Sequence, residues 1–145
     1  MLIEDVLYRA QAKVTGGRDG RAVSANGVLD VRLATPPALG GARGRGTNPE
    51  QLFAAGYAAS FLHAMQYVAA RDTLAIPPET AVEATVGLGA IPQGFGIEVE
   101  LRMALPGLSP REAESRVHKA HEVCPYSNAT RGNIAVRLVL VSSHA

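Results

Sequence analysis

The stretch from Thr47 to Arg71, TNPEQLFAAGYAASFLHAMQYVAAR, reads as one long helix with apolar residues on nearly every side. Between Leu52 and Ala70 it carries no formal charge, and only Ser60, His63 and Gln66 are clearly polar. No solvent-facing stripe of the kind found on a surface helix is present, so this helix is expected to be buried at the centre of a fold. Its start is marked twice. Asn48, Pro49 and Gln51 form one good capping pattern, and Thr47 with Glu50 forms another one residue earlier, so two registers stand open. At roughly 19 residues the apolar run approaches the length of a membrane span. Its Ala and Gly content, the central Ser60 and His63, and the lack of a second such segment favour a protein core instead. The Ser60 hydroxyl, in the middle of the run, shares a face with Phe53, Gly56, Tyr57 and Ala64. Taken alone, these residues describe a buried serine bonding back to the Gly56 carbonyl.

At 145 residues, the chain is expected to form a single domain spanning 1–145. A net charge of +1 with scattered Arg, Asp and Glu leaves no basic patch for nucleic acid and implies no acidic substrate. The opening MLIEDVLYRA places Glu4 and Asp5 where a secretory leader carries basic residues, and a cytoplasmic location is expected. One cysteine, Cys124, excludes an intramolecular disulfide in the sequence as it stands. With no Trp, three Phe and four Tyr, one copy supplies little bulk to surround such an apolar helix, which points to a homodimer.

Along the chain, Val6 to Val14 alternate as a half-buried strand would. The run GGRDGR, 16–21, makes a tight connection with Arg18 at its tip or shoulder. Asn26-Gly27 signals a hairpin, after which Leu29, Val31 and Leu33 are expected to face inward, and Pro36-Pro37 closes this antiparallel meander. After the central helix and a loop, alternation at Val82, Ala84, Val86 and Leu88, then at Ile97, Val99, Leu101 and Met103, predicts a second hairpin turning at PQGFG. Ser109, Pro110 and Glu112 open an amphipathic helix reaching about Val123, with Ala113, Val117, Ala120 and Val123 or Cys124 on its apolar stripe. SNATRGN reads as a loop and 134–141 as the last strand. Hairpins without a regular strand-helix-strand alternation indicate an α+β fold, in which antiparallel strands wrap a long buried helix and a second, amphipathic helix.

Chemistry is sparse. His118, His121 and Cys124 sit three residues apart along one helix, so the outer pair diverge by about 120° around the axis and cannot both reach one tetrahedral ion; no metal site is expected. Ser60 lacks the strand-turn-helix elbow of a serine hydrolase, and GGRDGR precedes a strand rather than opening a helix, unlike a phosphate loop. Cys124, at the C-terminal end of a helix, lies where the dipole disfavours a thiolate; it suits attack on an already oxidised sulfur better than a first attack on substrate.

Five motifs carry a resemblance across almost the whole chain: TGGRDGRA (15–22), LGGARGRGTNPEQLFAAGYAASF (39–61), IPQGFG (91–96), LPGLSPREA (105–113) and HEVCPYSNATRGN (121–133). Together they resemble the organic hydroperoxide resistance (Ohr) proteins of the Ohr/OsmC family, and less closely the OsmC branch. The resemblance implies an intertwined homodimer with central helices wrapped by sheet, reduction of organic hydroperoxides to alcohols, no bound cofactor, and recycling by the dihydrolipoyl group of a lipoylated protein. It places the peroxidatic cysteine at Ser60, the resolving cysteine at Cys124, and the paired arginine and glutamate that orient the thiolate at Arg18 and Glu50. Phe53, Tyr57 and Phe61 then line an apolar approach suited to bulky organic hydroperoxides rather than hydrogen peroxide.

Ser60 departs from that pattern. Serine can neither become a sulfenic acid nor condense into a disulfide, yet Arg18, Glu50 and Cys124 are all retained. This reads as a cysteine-to-serine replacement introduced into an otherwise complete site, leaving the chain as written inactive. The other reading is a non-catalytic hydroperoxide- or lipid-binding relative in which Ser60 is native. Geometry adds one expectation. Glu50 precedes Ser60 by ten residues, about 15 Å along a helix axis, so Arg18 can hardly grip both within one chain; each pocket is expected to be composite, with Arg18 or Glu50 supplied by the other subunit.

Overall fold

In a computed structural model, residues 1–141 are described, and the chain divides into two compact units, Met1–Pro49 and Glu50 onward. The first is a three-stranded antiparallel meander, β1 (Ala12–Thr15), β2 (Arg21–Ser24) and β3 (Asp30–Arg32). β1 is shorter and later than the alternation at 6–14 suggests. All four of its residues are exposed, and Leu7 and Tyr8 are 93% and 80% exposed, because a three-stranded unit this small offers them no apolar surface. The Asn26-Gly27 turn is wider than two residues: the Asn26 carboxamide oxygen accepts from the Ser24 hydroxyl and the Val28 amide, while the Leu29 amide donates to the Ser24 hydroxyl. Of the three apolar residues that follow, Leu33 is buried, Val31 half-buried and Leu29 exposed.

The β1–β2 connection is a 3-10 turn, Gly17–Asp19. It needs its glycines: Gly16 and Gly17 have φ of 75° and 58°, and a Cβ on Gly20 would stand 1.6 Å from the Thr15 carbonyl oxygen. Asp19 anchors this turn to the segment beyond β3, accepting from the Thr35 amide at 2.9 Å and its hydroxyl at 3.0 Å. Arg18 therefore projects, half-buried, from a rigidly held turn.

α1 (Pro49–Arg71) begins at Pro49, the first helical position in the register that has Asn48 before it. The second unit continues with β4 (Ala81–Ile91) and β5 (Gly94–Ala104), one long hairpin turning at Pro92-Gln93. α2 (Pro110–Val123) carries the expected capping box, in which the Ser109 hydroxyl accepts from the Glu112 amide and the Glu112 carboxylate accepts from the Ser109 amide. α3 (Pro125–Thr130) occupies the stretch that reads as a loop; Pro125 stops α2 and at the same time serves as the first residue of the next helix. β6 (Val136–Leu140) runs parallel to β5, so α2 and α3 form the crossover that parallel pairing requires. The sheet order is β4-β5-β6, and the architecture is α+β.

The core of this unit lies between the sheet and the two long helices. Val99, Leu101 and Met103 of β5 point inward while Glu98, Glu100 and Arg102 alternate away. Against them pack Tyr57, Phe61, Ala64 and Met65 of α1, with Ala113, Val117 and Ala120 of α2 and Cys124 at its end. Burial of α1 is one-sided within the chain: Ala55, Ala59, His63, Gln66, Tyr67 and Ala70 are exposed along one stripe. The expected all-round burial is not met by one copy, because a single sheet can cover only one side of a helix. No helix among the described residues is long and apolar enough to cross a membrane.

Candidate active site

The middle of α1 meets the α2–α3 junction. Ser60 is half-buried, and its Oγ lies 3.7 Å from the Sγ of fully buried Cys124. Cys124 ends α2 and also opens α3. The positive end of the short α3 thus offsets the α2 dipole that sequence reading considered alone.

Around this pair the aromatic residues form a cluster. Phe53 meets Tyr57 and Tyr126 edge-on, with centroids 6.2 and 5.8 Å away, and Tyr57 tilts against Tyr126 at 5.5 Å. Tyr57 and Phe61 are completely buried and Phe53 is half-buried, so of the three residues expected to meet substrate only Phe53 presents surface in the single chain. Arg18 belongs to the first unit; Glu50 is the first residue of the second, in the first turn of α1.

Sequence reading missed a buried polar network beside the pair. The Tyr57 hydroxyl lies 2.8 Å from the Ser127 Oγ and 3.3 Å from the Thr130 Oγ1, and the Ser127 Oγ lies 2.8 Å from the His121 Nδ1. Thr130 donates to the carbonyls of Tyr126 and Ser127. Arg131 donates to the His121 carbonyl and to the Asn128 side chain, bracing the α2–α3 corner. Burial, and then the neighbouring Arg131 charge, hold the His121 imidazole below its ordinary 6.5. The only hint in the sequence is the density of hydroxyl residues in YSNAT, which also reads as loop chemistry.

His121 spends its Nδ1 in this network, and His118 faces Glu114 at 3.5 Å on the exposed side. Among the described residues no three His, Cys, Asp or Glu side chains gather as metal ligands would. A groove of about 720 Å³ runs along the tip of the β4–β5 hairpin, from Gly87 to Ile91 and Phe95 to Glu98, with Asn133 and Ile134; none of the candidate residues lines it.

The sequence pattern of the family described as "OsmC-like protein" matches residues 41–139. An organic hydroperoxide resistance protein of Xanthomonas axonopodis pv. citri is 62% identical over 137 residues, covering 94% of this chain and 96% of that one. Among solved structures, one from Legionella pneumophila, described as an organic hydroperoxide resistance protein OsmC, superposes with a TM-score of 0.90 at 46% identity, covering 95% of this chain and 100% of that chain. The organic hydroperoxide resistance protein OhrB of Bacillus subtilis gives a TM-score of 0.84 at 42% identity, covering 94% and 100%.

Proposed function

The chain belongs to the OsmC-like family, and from that membership we propose that it has the scaffold of a thiol peroxidase acting on organic hydroperoxides, with serine in place of the nucleophile. The observation that carries this reading is the 3.7 Å approach of residue 60 to Cys124. With cysteine at 60, its sulfur attacks one peroxide oxygen, the O–O bond breaks, and the alcohol leaves as a sulfenic acid forms. The Cys124 thiol then attacks that sulfur, water is released, and the disulfide closes. A dihydrolipoyl dithiol on a lipoylated protein exchanges with the disulfide, leaving two thiols and its own cyclic disulfide. Arg18 stabilises the thiolate and the leaving oxygen, and Glu50 orients Arg18. Phe53 gives the approach its preference for apolar alkyl chains, with Tyr57 and Phe61 packed behind it in the core.

The exposed stripe of α1 supports a homodimer, since Ala55, Ala59 and Ala70 would be covered by a second copy. Each pocket then draws Arg18 or Glu50 from the other subunit.

The chain with Ser60 is expected to consume no alkyl hydroperoxide in the presence of dihydrolipoamide, and the Ser60→Cys variant is expected to consume it catalytically. Turnover by the unaltered chain, or its absence in a folded Ser60→Cys variant, would overturn the proposal; tight hydroperoxide binding by the unaltered chain without turnover by either would favour the binding relative.

A further inference from the structure

The hydrogens of the buried network can be placed by elimination. Thr130 has one hydroxyl hydrogen, and its partners Tyr126 O and Ser127 O can only accept, so that hydrogen is committed to them. At the 3.3 Å contact Thr130 therefore accepts, and the Tyr57 hydroxyl donates. With its hydrogen used there, Tyr57 accepts from Ser127 at 2.8 Å. Ser127 has then no hydrogen left for His121, so the His121 Nδ1–H donates to the Ser127 Oγ at 2.8 Å. One direction satisfies every contact, and it assigns the Nδ1–H form to His121.

The position of this chain of bonds is as informative as its direction. His121 lies three residues before Cys124 and Ser127 three residues after it, so the two bracket the cysteine across the α2–α3 corner. Tyr57 lies three residues before position 60, on the adjacent turn of α1. The network therefore ties both flanks of Cys124 to the helix that bears the other reacting atom. An S–S bond of about 2.05 Å must close a gap now at 3.7 Å. Motion of Cys124 away from residue 60 works against these bonds.

We propose that His121 and Ser127 are positioning residues for disulfide closure: through Tyr57 they hold Cys124 at a fixed distance from residue 60, and they do so only while His121 donates from Nδ1. This rests on the thiol-peroxidase reading for its biological meaning but not for its test.

The test uses the full-length Ser60→Cys protein as parent and follows two reactions. One is the sulfenic acid and disulfide formed after a single equivalent of alkyl hydroperoxide, read by dimedone trapping and intact mass. The other is closure of the same dithiol by diamide, which takes up two hydrogens and needs no peroxidase chemistry. Ser127→Ala and His121→Gln are expected to slow closure in both reactions by about tenfold or more, while sulfenic acid forms at the parent rate. Ser127→Thr keeps the hydroxyl, and His121→Asn places an N–H where Nδ1–H stood; both are expected to restore closure to within about threefold of the parent. A merely structural role would not separate Asn from Gln at 121. Closure by Ser127→Ala at the parent rate, or equal slowing by Asn and Gln at 121, overturns the proposal. If the parent forms no sulfenic acid, the peroxidase reading fails, and the diamide rates still decide whether the clamp exists.

Discussion

A Cβ added to Gly56 would stand 2.7 Å from the Tyr126 hydroxyl oxygen, although the two residues are seventy positions apart in sequence. The Tyr126 ring crosses α1 one turn before Ser60, on the face that only glycine leaves open. It is held there by the rings of Phe53 and Tyr57.

Gly56→Ala should gain up to about 1 kcal/mol of helix propensity in isolation. Within the protein we expect net destabilisation, because the new methyl displaces a ring that is held on two sides. Adding Tyr126→Phe removes the oxygen and leaves Cζ, at 3.3 Å, as the nearest atom, so the double variant should recover part of the loss. Chemical denaturation of the two single variants and the pair measures this coupling; purely additive effects would contradict it.

Phe61 has no exposed surface and fills the core between α1, α2 and the sheet. Phe61→Ala should cost about 3–5 kcal/mol. Tyr57→Phe keeps the ring but leaves Ser127 without its acceptor, at about 1–3 kcal/mol. Equilibrium unfolding in urea separates the two, and a Tyr57→Phe variant as stable as the parent would mean that the buried hydroxyl network adds nothing to the fold.

The folded state holds the His121 imidazole below its ordinary 6.5, chiefly by burial and then by the Arg131 charge. Between the lowered folded value and 6.5, the unfolded chain binds more protons than the folded one, so stability rises with pH through this window. The contribution is complete above 6.5 and is lost as pH falls below it. Asp72, Asp30 and Glu112 are lowered through their hydrogen bonds to Lys119, Arg21 and Ser109, and their contributions are lost further into acid. Denaturation midpoints measured between pH 5 and 7.5 should slope upward in the parent and more shallowly in His121→Asn; identical slopes would remove His121 as the cause.

α1 is continuous from Pro49 to Arg71, so Glu50 and Ser60 are separated by ten residues of helix, about 15 Å along the axis. If each pocket is shared between two copies, mixing two inactive proteins should restore activity. One partner retains Ser60; the other carries Ser60→Cys with Arg18→Ala and Glu50→Ala. Co-refolded heterodimers are expected to regain part of the Ser60→Cys activity in a dihydrolipoamide-coupled assay. Heterodimers seen by native mass measurement but lacking activity would mean that Arg18 and Glu50 do not both come from the subunit opposite residue 60.

Much of the fold was legible because its signals are local. The apolar run of α1, the Ser109/Glu112 capping box and the alternation of β5 each depend on residues within one or two turns, and each recurs in the structure at nearly the expected bounds. The resemblance of five motifs supplied the candidate residues and the expectation of hydroperoxide chemistry. Local reading failed where the outcome depends on distant partners. SNATRGN has turn chemistry throughout, and only the packing of Tyr126 on Gly56 and the bonds of Ser127 and Thr130 to Tyr57 account for a helix there. The sequence by itself determined the two long helices and the β4–β5 hairpin and pointed to the hydroperoxide-resistance family, because periodicity, capping and motif identity are written in neighbouring residues. Only the tertiary structure decided that Ser60 and Cys124 meet at 3.7 Å, that one stripe of α1 stays exposed in a single copy, and that His121 is tied to Tyr57 through Ser127. The contacts of Ser60 with Cys124 and of Tyr57 with Ser127 join positions more than sixty residues apart on α1 and at the α2–α3 corner, and their distances follow from how helices pack on a sheet, which no spacing along the chain encodes.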